Sequence, residues 1–351
     1  MATMTAAQFY GKGDIRLGQI PRPEPGAGDV LVKVFGCGIC GSDLRLFERG
    51  PVSDTMAGWP LPRTLGHEFS GEVVQLGEGV QGFRLGDRVS AAPATWCGEC
   101  FYCRRGAKTL CMNPIDFGST HMGAFAEYVI IPSLMVEQGG LVLLPDNVSF
   151  ERGSLLEPLG TCVRGLLTKG ELKSDQRVVI VGDGPIGLIQ VMLAKHIGAG
   201  WILCVGHHDD RLARALQLGA DQVLNSKVAN AQRAVYDLTE GMGADLIIVS
   251  VPSVEANQEF LKLVRGGGRF VIFGGVPREN VLSVDPNFIH YSEIVLTGSY
   301  NCTVEEFRRA RDLSRDLALE ETISHKITLD QIHEGFEIIN RREGLKVFIS
   351  M

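Results

Sequence analysis

No stretch of the 351-residue chain stays apolar for the roughly 20 residues that a membrane-spanning helix needs. Residues Met1 to Ile15 hold no apolar core of the signal-peptide kind. Positive charge is also scarce. Lys and Arg number 34 against 41 Asp and Glu, so the net charge is −7 and the pI about 5.7. No basic face is implied, which argues against a nucleic-acid partner. The expected setting is cytoplasmic, and there the nine cysteines are not a disulfide framework. The hydrophobic fraction is 45%, with 43 glycines, which describes a well-packed chain with many tight turns or close backbone approaches. The length is too great for one ordinary core and suits two domains.

Residues 1 to about 150 lack helical periodicity, apart from a turn of helix after Asp43. Short strand-like runs are expected at Val30–Phe35, Phe69–Leu76, Arg88–Ala92, Glu127–Ile131 and Val142–Leu144. Pro21, Pro23, Pro25, Gly77, Gly79 and Gly86-Asp87 punctuate them. The reading is a small, irregular β-barrel.

Two stretches there carry metal chemistry. Cys97, Cys100, Cys103 and Cys111 form a C-x2-C-x2-C-x7-C lobe. Four thiolates close a tetrahedral shell around Zn²⁺ and leave no open position, the mark of a structural site. An iron–sulfur cluster is the competing occupant. The second stretch is Cys37-Gly38-Ile39-Cys40-Gly41-Ser42-Asp43, with Gly66-His67-Glu68 following 27 residues after Cys40. A lone His is more often a satisfied core residue. A Cys, a His and a carboxylate from separate segments would instead make a three-ligand site with one open position, as catalytic zinc requires.

From Gln176 the pattern changes. The strand Arg177–Val181 runs into Gly182-Asp183-Gly184-Pro185-Ile186-Gly187, and an apolar helix follows over Leu188–Ile197. Strand, G-x-G-x-x-G and helix in that order form a dinucleotide-binding turn, with the pyrophosphate at the helix N-terminus. Further expected strands are Trp201–Val205, Gln222–Leu224, Asp245–Val251, Arg269–Gly274 and Glu293–Gly298. Helices are expected at Asp210–Leu218, Val228–Glu240 and Glu255–Leu263, with a turn at Gly266-Gly267-Gly268. Strands alternating with helices imply a parallel sheet. No carboxylate stands at the end of the second strand. Gly206, His207, His208 and Arg211 are there instead, which favours NADP(H) over NAD(H). Asp209 and Asp210 argue the other way but read as helix caps.

With both halves in hand, the whole chain resembles the zinc-containing medium-chain dehydrogenase/reductase superfamily, and within it the polyol (sorbitol) dehydrogenase-like branch. The motifs that carry the resemblance are Cys40-Gly41-Ser42-Asp43, Gly66-His67-Glu68-Phe69-Ser70-Gly71, Gly86-Asp87-Arg88-Val89, the four-cysteine lobe, Glu157-Pro158-Leu159 and the glycine turn. The resemblance implies an α/β chain. A GroES-like β-barrel catalytic domain would comprise residues 1–150 and 299–351, with a structural zinc lobe at about 96–112. A Rossmann doubly wound parallel sheet domain would comprise residues 151–298, with the active site in the cleft between the two.

It further implies two zinc ions per chain. Cys40, His67, Glu68 and Glu157 would serve the catalytic ion, with Glu68 and Glu157 direct or water-linked. Ser42 would take the substrate proton, and Phe117 and Thr120 would line the pocket with Ser42 and Glu157. Ile186, Val251 and Phe273 would lie near the nicotinamide, although Ile186 and Phe273 read equally well as core. The segment holding Lys346 would return near the cofactor. A homodimer or homotetramer would form through the strand at Glu293–Gly298. The implied reaction is reversible oxidation of a small secondary alcohol of the polyol, cyclitol or sugar-alcohol class. The alternatives are an L-threonine-type 3-hydroxy acid dehydrogenase or a zinc-independent quinone or enoyl reductase. Two positions depart from the pattern. Arg45 stands where a relay His is usual, and Asn301 stands roughly where sorbitol-type enzymes carry an Arg.

Overall fold

A computed structural model describes residues 2–51, 60–277 and 279–351. The chain forms two compact units, Met1–Gly160 with Cys302–Met351, and Thr161–Asn301. The first boundary therefore lies ten residues beyond the expected 150. The reason is local: the helix Phe150–Ser154 packs on strands Val30–Gly38 and Glu68–Leu76, and Ser70 donates its hydroxyl to Phe150 O. Leu156 joins the same apolar cluster as Val142, Leu144, Val304 and Phe307. The return crossing likewise lies at 301/302 rather than 298.

The first unit is built on a seven-stranded sheet and a three-stranded one. Observed strands Val30–Gly38, Glu68–Leu76, Arg88–Ala91, Tyr128–Ile131 and Leu141–Leu143 lie within three residues of their expected positions. A hairpin of Thr3–Gly11 and Asp14–Pro21 was not expected from sequence. Its polar outward face breaks the apolar pattern, and Gly18 and Gln19 interrupt the second strand. Strand Val30–Gly38 is central. It pairs antiparallel with Glu68–Leu76, Tyr128–Ile131 and the C-terminal strand Lys346–Ser350. Gly36 is required at the last of these pairings, because a Cβ there would lie 1.9 Å from the Phe348 ring. Phe9, Phe69, Phe125 and Phe336 are fully buried in one core around this strand.

The second unit is a six-stranded parallel sheet. In spatial order its strands are Gln222–Asn225, Trp201–Gly206, Arg177–Val181, Ala244–Val249, Val264–Ile272 and Val295–Gly298. Helices Pro185–Ile197, Asp209–Gln217, Ala231–Leu238 and Val254–Leu261 connect them. Gly266-Gly267-Gly268 is not a separate turn. It bulges out of strand Val264–Ile272, whose register with Ala244–Val249 shifts between Ala244 and Leu246, and Gly267 takes φ +69°. Among the described residues no helix is long and apolar enough to cross a membrane.

Candidate active site and metal centres

The first cluster is assembled by pairing across the central strand. Gly38 lies opposite Glu68, so the strand end that leads to Cys40 sits beside the strand start that follows His67. The pairing needs glycine, because a Cβ on Gly38 would come within 2.3 Å of Glu68 Oε2. Gly66 has φ +93°, and a Cβ there would also press on the Phe125 ring at 2.6 Å. Cys40 then caps the helix Gly41–Arg49, a full nine residues where one turn was expected. The signal for it is Asp43, whose Oδ2 accepts the Cys40 N–H at 2.9 Å.

The ligand atoms of Cys40, His67 and Glu68 all lie within 4.8 Å of one another. Asp43 is buried, and its Oδ1 is 3.6 Å from His67 Nδ1. That is the carboxylate–imidazole arrangement that turns the other ring nitrogen toward a metal. Asp43 stands in the Cys40-Gly41-Ser42-Asp43 motif, but no role at the site follows for it from sequence alone. Burial opposes charge on His67, but Asp43 and the Cys40 thiol outweigh it and lift the imidazole well above its ordinary range. Glu68 is 1% exposed; its Oε1 accepts from Lys346 Nζ at 2.7 Å, and its Oε2 has no hydrogen-bond partner among the described residues. A buried carboxylate oxygen left unsatisfied beside a thiol and an imidazole fits a cation at this position.

Glu157 is not part of that three-residue cluster. It sits in the first turn of helix Leu156–Val163, buried and coupled to the same charges. Burial, helped by Glu68 and Asp43, pushes its carboxyl up to about 7 against the pull of His67 and Lys346. Ser42 is half-buried in the first turn of Gly41–Arg49. Arg45 is exposed, and its guanidinium lies 3.9 Å from where a Cβ on Gly41 would stand. Cys37 is fully buried, with its thiol pushed far up by burial, so it packs and does not ligate.

The second cluster gathers Cys97, Cys100, Cys103 and Cys111, again with all sulfurs within 4.8 Å. Cys97 Sγ is 3.9 Å from Cys103 Sγ and 3.5 Å from Cys111 Sγ. These separations are too long for a disulfide. They match the edge of a tetrahedron with Zn–S near 2.3 Å, which is about 3.8 Å. An iron–sulfur cluster spreads its thiolates over different irons and needs a wider lobe. Backbone N–H groups of Met112 and Cys103 draw the Cys100 thiol down to about 6, while burial pushes Cys103 up to about 12. The lobe is tied down by Gln138, which accepts from Thr95 Oγ1 at 2.6 Å and donates to Trp96 O at 2.7 Å.

In the second unit Gly182 has φ +133°, and a Cβ on Gly187 would stand 1.8 Å from Gly182 O. Gly184 caps the helix with open space before it, and Pro185 occupies its first position, where no N–H is missed. The three glycines therefore do what the fingerprint demands: sharp turn, close approach, tight helix packing.

Residues 26–144 match the alcohol dehydrogenase GroES-like domain, and residues 185–316 match the zinc-binding dehydrogenase domain. An L-threonine 3-dehydrogenase of Cronobacter sakazakii is 31% identical over 335 residues, covering 94% of each chain. The chain belongs to the zinc-containing medium-chain alcohol dehydrogenases. It is thus an oxidoreductase of a family acting on CH–OH donors. Among solved structures, a protein of Sinorhizobium meliloti 1021 described as a zinc-binding dehydrogenase and bound to NADP superposes with TM-score 0.92 at 29% identity, covering 100% of both chains. The 2R,3R-butanediol dehydrogenase of Bacillus subtilis superposes with TM-score 0.88 at 30% identity, covering 99% of each.

The other expected positions of the dehydrogenase have the following surroundings. Lys346, expected at the cofactor, is buried with its ammonium on Glu68, because strand Lys346–Ser350 adds to the edge of Val30–Gly38. Phe117 lies in the core, edge-on to Phe69 at 5.2 Å. The Thr120 hydroxyl closes a turn, accepting from Asp116 N at 2.8 Å and donating to Pro114 O at 2.9 Å. Phe273 packs where a Cβ on Gly165 would meet it at 2.8 Å. Val251 lies 3.2 Å from where a Cβ on Gly182 would be, beside the glycine turn. Ile186 O is 3.7 Å from the Cys162 thiol. His208 and the N–H of His207 are committed to Asp183, and Arg211 is not a free cation. Asp116 is the residue that sequence reasoning passed over. Its carboxyl, pushed up to about 6 by burial, lies within electrostatic reach of His67.

Proposed function

We propose that the chain catalyses the reversible, NAD(P)-linked oxidation of a small secondary alcohol to the ketone, on a polyol, cyclitol or sugar-alcohol substrate. The carrying observation is the Cys40–His67–Glu68 cluster, with Glu68 Oε2 buried and unpaired. Two zinc ions per chain are inferred, one at this cluster and one at the four-cysteine lobe. When bound, zinc supplies Lewis acidity toward the alcohol oxygen, and the nicotinamide supplies the hydride acceptor.

The protein's own groups do the rest. Asp43 holds the His67 ring in one orientation. Lys346 balances Glu68 and keeps its second oxygen directed at the cluster. Ser42 Oγ, two residues from Cys40, receives the substrate hydroxyl proton. Arg45 stays protonated and cannot pass that proton on, so water or the cofactor ribose would have to finish the path. Glu157, held partly protonated at neutral pH, accepts or donates a hydrogen bond to a second substrate hydroxyl.

A second reading has a specific observation behind it. The substrate would be an L-threonine-type 3-hydroxy acid, and the Cronobacter sakazakii relative, 31% identical over 94% of each chain, is named for L-threonine. A screen of polyols, cyclitols, 2,3-diols and L-threonine, followed by nicotinamide absorbance, separates the two. Turnover on L-threonine alone would replace the polyol reading, and turnover on neither class would end both.

A cytoplasmic setting is inferred, in which a four-cysteine lobe serves a metal rather than disulfides. Exposed Tyr291, Val295 and Tyr300 around the edge strand Val295–Gly298 support a homodimer or homotetramer, which light scattering would size.

A further inference from the structure

In a Rossmann sheet the ribose position that differs between NAD and NADP lies at the end of the second strand, where an acidic side chain selects the free 2′-hydroxyl. Here that strand, Trp201–Gly206, ends on a glycine with no side chain to offer. The space is nevertheless filled. A Cβ built on Gly206 would lie 2.4 Å from Cβ, Cγ and Oδ2 of Asp183. Asp183 belongs to the glycine turn, on the neighbouring strand's exit, and reaches across to the place a residue-206 side chain would enter. The missing strand-end carboxylate is thus delivered from the turn.

It is firmly seated there. Asp183 Oδ2 accepts the N–H of His207 at 2.7 Å and of His208 at 2.8 Å, and His208 Nδ1 lies 3.0 Å away. Oδ1 takes part in none of these contacts. The residue is 7% exposed. Burial alone would raise its carboxyl, but the bonds from His207 and His208 outweigh that and hold it below the usual range. Two successive N–H groups and an imidazole form an anion nest, and a 2′-phosphate would need that nest. The nest already holds an anion, the covalently attached Asp183 carboxylate, which a 2′-phosphate would have to displace.

We propose that Asp183 selects NAD(H) over NADP(H), by filling the anion nest at His207 and His208 and by presenting its remaining oxygen to the ribose 2′-hydroxyl. This reverses the preference that His207, His208 and Arg211 suggest when read as a sequence. The proposal rests on the reading of this unit as a dinucleotide site.

Dissociation constants for NADH and NADPH, measured by nicotinamide fluorescence on the purified full chain, test it. The wild type is expected to bind NADH about ten-fold or more tighter than NADPH, the scale of one charge-assisted hydrogen bond. Asp183→Ala should weaken NADH, strengthen NADPH and bring the ratio near one or below. Asp183→Ala with Gly206→Asp, which moves the carboxylate onto the strand, should restore the NADH preference. A wild type that binds NADPH as tightly as NADH overturns the proposal, even if Asp183→Ala fails to fold. So does an unchanged ratio in Asp183→Ala. Binding of neither nucleotide would instead overturn the dinucleotide reading itself, and the proposal with it.

Discussion

Replacing Lys346 with methionine is expected to destabilise the first unit out of proportion to the atoms removed. Lys346 is 5% exposed and Glu68 1%, and their 2.7 Å contact is the only bond the Glu68 carboxylate makes among the described residues. Burial disfavours the ammonium, yet Glu68, Cys40 and Glu157 more than compensate and hold it above its ordinary range. Methionine keeps much of the apolar stem and removes the charge. Breaking a buried pair from one side costs about 3–5 kcal/mol, because the remaining charge is stranded. In a domain of this size that corresponds to a fall in Tm of about 6–20 °C. Lys346→Met with Glu68→Gln removes both charges and should recover more than half of the loss. Zinc at Cys40 and His67 would supply a substitute positive charge. The penalty should therefore be larger in protein stripped of metal than in loaded protein. Calorimetric melts of wild type, both single variants and the double variant, with and without zinc, give the full cycle. A Lys346→Met protein within about 0.5 kcal/mol of wild type in the stripped state, or a double variant no more stable than the single, would refute the reasoning.

Three further outcomes are expected. Asp116 titrates near 3.8 when unfolded and is pushed up to about 6 when folded, so the folded state binds more protons between those values and stability falls as pH rises through them. Asp116→Asn should therefore match wild type near pH 3 and exceed it above pH 6 in denaturant melts, and a parallel pH dependence would show that the carboxyl is not strained. Cys103→Ser should cost the lobe its metal and lower zinc content by about one ion per chain, while Cys40 and His67 keep theirs; unchanged zinc would rule out a four-thiolate site. Gly38→Ala forces a Cβ to within 2.3 Å of Glu68 Oε2 and should lower both metal occupancy and turnover by at least ten-fold, whereas Gly79→Ala, with nothing within 4 Å but φ +83°, should affect stability only.

Much of this was readable in the chain because it depends on local pattern. Val178–Val181 is an unbroken apolar run, and the glycines of the turn stand at fixed spacing, so strand, turn and helix were placed within three residues. The four cysteines announce their lobe by spacing alone. What the sequence hid depends on contacts far apart along the chain. Lys346 meets Glu68 across 278 positions, and nothing near Lys346 marks it as an ion-pair partner. The Asp183 carboxylate reaches His207 and His208 only because adjacent parallel strands bring positions 24 and 25 residues apart together. Read linearly, the strand end at Gly206 lacks an acid; folded, Asp183 stands there. Phe117 and Thr120 were assigned by analogy to a pocket, and packing against Phe69 and closure of a turn are what their side chains do here.

Cys40, His67 and Glu68 are proposed to hold a zinc ion distinct from the one proposed for the four-cysteine lobe. Elemental analysis of the purified wild type and of Cys40→Ser, with turnover measured on the same samples, tests this assignment most directly. About two zinc ions per chain are expected in the wild type and about one in the variant, with turnover lost. A Cys40→Ser protein that keeps both its zinc and its wild-type turnover would contradict the assignment.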